Sequence, residues 1–69
     1  MTAYRNVCVV RIALARIAMN RADTALSMYG ASPRVAQLHV AARKACESAR
    51  LWPLATEYAE RAHAVRVLL

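Results

Sequence analysis

Sixty-nine residues, ten Lys or Arg against four Asp or Glu, and 59% hydrophobic residues without one Phe exclude a second domain and a deep enclosed pocket. A single core of this size rarely supplies more than about 3–5 kcal/mol, and alanine buries little area per side chain. One small helical domain, residues 1–69, is therefore expected to associate with itself or with another protein. The formal net charge of +6 is carried almost wholly by Arg, with Lys44 the only lysine; it suits an acidic protein, a nucleic acid or an anionic surface.

One Gly and two Pro in a chain full of Ala, Leu and Arg favour helix almost everywhere, and those three residues divide the chain into three pieces. The fold expected is all-α. The first two helices form an antiparallel hairpin and a third packs on it.

The first helix is expected over about Ala3–Met28. At about 100° per residue, Arg5, Arg16, Asn20, Asp23 and Ser27 share a solvent side. The apolar side is wide. Val7, Val10, Leu14, Ile17 and Met28 form one edge, and Tyr4, Cys8, Ile12, Met19 and Leu26 the other. One neighbouring helix covers only part of such an arc, and the rest is expected to meet a second subunit or a target protein. Arg11 projects into this arc. Either its stem packs and its head reaches water, or it pairs with an acidic group across an interface. Residues 7–19, VCVVRIALARIAM, resemble a signal or membrane segment in hydropathy, but they are too short to span a bilayer and contain Arg11 and Arg16.

Residues 29–35, YGASPRV, hold the turn. Gly30 ends one helix, and Ser32 caps the next with Pro33 as its first residue. The Gly-x-Ser run resembles the turn of a helix-turn-helix DNA reader. In that family a small residue stands four before the glycine, and apolar residues stand six and nine after it. Here those positions are Leu26, too large for a tight crossing, and Ala36 and His39, which fall on the expected polar side of the second helix. With Val35 and Leu38 taken as the apolar pair, the register is one residue early, and a plain hairpin bend is expected.

The second helix is expected over about 33–50. Its seam is Val35, Leu38, Ala42, Ala45 and Ala49, narrow enough for close helix approach. His39, Arg43, Lys44, Glu47 and Arg50 are expected on the opposite side. Pro53 biases Trp52 away from the helical region, so a break is expected there, with Trp52 plugging the corner or, as the alternative, standing exposed as a binding anchor. The third helix follows over about 53–67, with Leu54, Tyr58, Ala62, Val65 and Leu69 inward and Thr56, Glu57, Glu60 and His63 outward. Residues 35–62 resemble one tetratricopeptide hairpin, with Trp52 at the opening aromatic and Ala55 and Ala62 at small positions. Arg43 stands where that family has a small residue and the closing proline is missing, so no membership is assigned.

Metal and catalytic chemistry have little support. Cys8, His39, Cys46 and His63 lack the short ligand spacing of structural zinc sites. No Ser or Cys stands beside a His at helical spacing, and there is no glycine-rich phosphate loop. In a hairpin turning near residue 31, Cys46 lies opposite residue 16. Cys8 is then about 12 Å further along at 1.5 Å per residue, beyond disulfide reach. No cofactor, catalytic residue or metal ligand is expected, and a cytoplasmic location with reduced thiols is the default.

The expected function is that of a non-enzymatic protein-binding module, of adaptor, inhibitor or co-chaperone type. Its contact set is Tyr4, Val10, Arg11 and Ile17 with Arg5 and Arg16 as the rim, placed on an acidic protein or, as a homodimer, on a second copy. The alternative is sequence-unspecific nucleic-acid binding through Arg34, His39, Arg43, Lys44 and Arg50.

Overall fold

In the computed structural model of the chain, the backbone is described for residues 2–69 and the side chains for residues 8–69. Three helices form: α1 Thr2–Tyr29, α2 Pro33–Ser48 and α3 Trp52–Val67. The breaks fall where the turn residues place them. Gly30 adopts φ 72° with open space around the position of a Cβ, and its amide donates to the Leu26 carbonyl at 2.9 Å, so a left-handed residue ends α1. Ser32 is extended, and its Oγ accepts from the Val35 amide at 3.1 Å. Pro33 occupies the first turn of α2, where its missing N–H would have no helical partner.

The second break differs from expectation. α2 ends at Ser48, two residues early, because Arg50 takes φ 59°. The Arg50 amide donates to Glu47 O at 3.0 Å and the Leu51 amide to Cys46 O at 2.8 Å. This is the hydrogen-bond pattern of a Schellman end with Arg in the position that glycine usually takes. Leu51 then packs against the cluster containing Cys46 and Ala55, which supplies the apolar contact that accompanies such an end. Leu51 therefore plugs the corner. Trp52, expected there, is instead 57% exposed. Pro53 sits harmlessly within the first turn of α3.

α1 and α2 run antiparallel, with Ala25 beside Val35, Ala22 beside Ala42 and Ala15 beside Cys46. α3 turns back antiparallel to α2. Ala55 joins Ala15 and Cys46, Tyr58 joins Ala22 and Ala42, and Val65 joins Ala25, Val35 and Ala36. The centre is thus mostly alanine; the largest fully buried side chains are His39, Val35 and Cys46. Cys8 and Cys46 are both free thiols, and burial pushes the Cys46 thiol above its ordinary range. At about 1.5 Å per residue α1 is nearly twice as long as either neighbour, and it lies along a molecule 45 × 20 × 13 Å in extent.

α2 packs against both α1 and α3, so its buried arc is wider than the single seam inferred from spacing. Ala36 and His39, both assigned to a polar side, are buried at 3% and 0% exposure. That removes the register objection to a helix-turn-helix, but the geometry raises a firmer one. The helices of that motif cross at about 90–120°. Here α1 and α2 stay together from the turn to Arg11, whose Nη1 lies 3.4 Å from the Ser48 carbonyl. Leu69, expected in the third seam, is exposed, whereas Tyr58, Ala62 and Val65 are buried as expected.

Two substitutions test the helix ends by urea denaturation. Ser32→Ala removes the α2 cap and is expected to cost about 1 kcal/mol. Arg50→Gly relieves a left-handed residue and is expected to gain about 1 kcal/mol; a loss would contradict the Schellman assignment.

Candidate functional site

The two faces of the α1–α2 hairpin are unlike. One is closed by α3 through a polar cluster. The Tyr58 hydroxyl donates to Asp23 Oδ2 at 2.7 Å, Arg61 Nη1 donates to Asp23 Oδ1 at 2.9 Å, and Arg61 Nη2 donates to Glu57 Oε1 at 2.8 Å. The Arg61 guanidinium lies 4.9 Å from the Tyr58 ring centroid, within cation–π range. Burial and the Asp23 carboxylate push the Tyr58 phenol up from 10.0 to about 12. Behind it, the His39 ring stacks on Tyr58 with centroids 5.9 Å apart. His39 Nδ1 lies 2.8 Å from the Val35 carbonyl. A carbonyl only accepts, so Nδ1 carries the hydrogen, and Nε2 is buried without a partner.

The other face is open. Val10, Leu14, Ile17 and Met28 of α1 are 54%, 56%, 49% and 66% exposed, whereas the edge containing Cys8, Ile12, Met19 and Leu26 is partly buried. The open residues continue the spacing 10, 14, 17, 21, 24, 28, alternating four and three, which keeps them in one stripe of a helix. Arg21 and Thr24 complete the stripe. Where this face meets α2, a groove of about 810 Å³ is lined by Ile17, Arg21, Met28, Arg34 and Leu38 among others.

The expected partner contacts divide accordingly. Val10 and Ile17 lie on the open stripe. Tyr4 and Arg5 fall outside the described side chains. Arg11 is exposed and turned toward α2: its guanidinium reaches the α2 C-terminus, where unsatisfied carbonyls and the helix dipole favour a cation. Arg16 is exposed but stands about 100° round the helix from Ile17, so it does not rim the stripe. Arg21, which spacing on α1 would have found, is the cation on it.

The alternative set does not converge on one surface. His39 is fully buried, and Arg43 Nη1 pairs with Glu47 Oε1 at 2.7 Å. Arg34 lines the groove, Lys44 is exposed on α2 and Arg50 belongs to the turn. Among the described residues no three His, Cys, Asp or Glu side chains come together, and no helix is long and apolar enough to cross a membrane. No protein-family model matches the chain, and no curated protein or solved structure matches it.

The polar cluster generates two expectations. A phenol with a raised folded pKa contributes stability that is fully present below pH 10.0 and is lost as pH rises toward about 12. Tyr58→Phe should cost about 1 kcal/mol at neutral pH, and its deficit relative to wild type should shrink across that alkaline window in urea midpoints. His39→Leu removes the unpartnered nitrogen at similar volume and should gain about 1 kcal/mol; a clear loss would mean that Nε2 has a partner.

Proposed function

We propose that this chain is a non-enzymatic protein-binding module of adaptor, inhibitor or co-chaperone type, which uses the open face of α1 to hold an acidic protein. The observation that carries this reading is the stripe Val10–Leu14–Ile17–Met28, apolar and about half exposed or more along its length. A chain with so small a core gains little by leaving such residues in water. Covering them contributes about 25 cal/mol per Å² of apolar surface removed from water, and a stripe at helical spacing suits a helix laid along it. The charge chooses the sign of the partner. Asp23, Glu47 and Glu57 are all engaged within the chain, whereas Arg16, Arg21, Arg34, Lys44, Arg50 and Arg66 make no ion pair among the described residues. Unpaired cations of this kind steer an acidic partner and set register more than raw affinity.

The test replaces Leu14 and Ile17 together by Glu. Both are half exposed, so the helical circular-dichroism signal and the unfolding midpoint should stay close to wild type. Tagged wild-type chain from the native host should retain a defined partner that the double variant loses at least tenfold, and the purified partner should rebind wild type alone. Equal retention by both would overturn the assignment of the interface to α1.

A further inference from the structure

We infer that the groove between α1 and α2 opposite α3 is the seat for one acidic amphipathic helix of a partner protein, with Arg21 and Arg34 holding its carboxylates. This rests on the protein-binding reading above and makes it specific.

Two adjacent helices create a groove on either side of their contact line, and in this chain α3, which packs chiefly on α2, reaches across one of the two to α1. α3 seats there by a small-residue seam, Ala55 and Ala62, with Tyr58 as the inserted ring. It is held in register by a charge match, Arg61 of α3 against Asp23 of α1. The opposite groove has the same ingredients with the sign reversed. Ile17, Met28 and Leu38 supply the apolar lining, while Arg21 from α1 and Arg34 from α2 supply cations. Within the groove the α1 wall runs from Ile17 to Met28, about 16 Å at 1.5 Å per residue, and the exposed Val10 and Leu14 extend the same stripe beyond it, so that the whole suits a helix of about 18 residues.

Charge selects among the occupants. A second copy of this chain brings the same Arg-bearing stripe and a further net charge of +6. Three of its four carboxylates, Asp23, Glu47 and Glu57, are engaged in its own ion pairs, which leaves only Glu60, on α3, against that surplus of cations. Like cations would then face each other across a partly desolvated seam, which opposes self-pairing. A partner helix with Leu-type residues inward and Glu or Asp on its flanks satisfies both parts of the groove. Carboxylate pairing with guanidinium also fixes register through two-pronged hydrogen bonding.

The test uses two fluorescein-labelled synthetic helices of about three heptads, identical in their Leu spacing, one with Glu at every flanking position and one with Lys. Fluorescence anisotropy with the intact chain should show the Glu helix binding at least tenfold more tightly than the Lys helix at low ionic strength. The preference should narrow in 1 M salt, where screening acts over about 3 Å. Arg21→Glu with Arg34→Glu, both at the surface and outside the described ion pairs, should reverse the preference. Lys44→Glu with Arg66→Glu changes net charge equally and should leave most of the preference in place. Equal binding of both helices, or the same loss from either double variant, would overturn the groove assignment. So would a dimer mass by light scattering for the pure wild-type chain that reverts to monomer in Leu14→Glu with Ile17→Glu, since a second copy would then occupy the face. Equal or tighter binding of a short DNA duplex at the groove, abolished by the Arg21 and Arg34 changes, would also overturn it. If the peptide preference fails while the native partner is still lost on changing Leu14 and Ile17, the interface stands and the acidic helix is withdrawn.

Discussion

The close approach permitted by alanine governs this structure. Ala15, Ala22 and Ala25 of α1, Ala36 and Ala42 of α2, and Ala55 and Ala62 of α3 are the buried contacts, and each contributes a single methyl group. The backbones can come near one another and gain dispersion contacts over many atoms, but the apolar area removed from water stays small. Apart from Tyr58, His39 and two valines, the large side chains line its margins. Leu26, Leu38, Leu51 and Leu54 lie half-buried along it, and Val10, Leu14 and Ile17 lie beyond it. The tight centre and the exposed apolar stripe are thus two results of the same composition.

The polar cluster on the α3 side follows from that shortage of bulk. Among the described residues Tyr58 is the one tyrosine or tryptophan buried in the seam, and a buried phenol needs a hydrogen-bond partner. Asp23 supplies it, and Arg61 then balances the carboxylate. Because Arg61 and Asp23 are each nearly half exposed, their Coulomb attraction is screened and worth little by itself. Their stronger effect is on register, since only one sliding position of α3 brings Tyr58 and Arg61 together onto Asp23. His39 has a less complete environment: it fills volume beneath Tyr58 and leaves one nitrogen unmatched. Filling space with an imidazole in a core otherwise lacking large residues offsets part of that polar cost.

The helices and turns were legible because they depend on local chemistry. Gly30, Ser32 and Pro33 act on their own neighbours; Pro53 marked the second break only roughly, because Trp52 is itself the first residue of α3 and the chain turns at Arg50 and Leu51. Burial was legible on α2 and α3, where Val35, Ala42, Tyr58, Ala62 and Val65 were placed inward and are buried, but not on α1. Alanine favours helix strongly but has weak hydropathy, so a wheel plot follows Val10, Leu14 and Ile17 and passes over Ala15, Ala22 and Ala25, the residues that decide which face turns inward. α2 was read as having one seam because spacing cannot reveal that a helix will have neighbours on two sides; His39 and Ala36 were misplaced for that reason. Trp52 was misplaced because size was taken as a sign of burial, while the smaller Leu51 fitted the corner made by a left-handed Arg50. Asp23 could not be distinguished from other solvent-side residues until α3 arrived beside it, because its partners are 35 and 38 residues away.

The distribution of charge depends on the same packing. Once α3 is held through Asp23, and Glu47 and Glu57 are engaged by neighbours four residues away on their own helices, three of the four acids are paired with cations and most of the arginines are not. The surplus charge is uneven: on the covered face Arg61 is engaged by carboxylates, and on the open face Arg21 and Arg34 have none. Apolar area and uncompensated positive charge therefore lie together beside a groove that no helix of this chain fills. Apolar surface alone would suit many occupants, including another copy of the chain, and charge alone would suit any polyanion. Their coincidence along a stripe with helical spacing narrows the choice to a helix that presents Leu-like residues and carboxylates together.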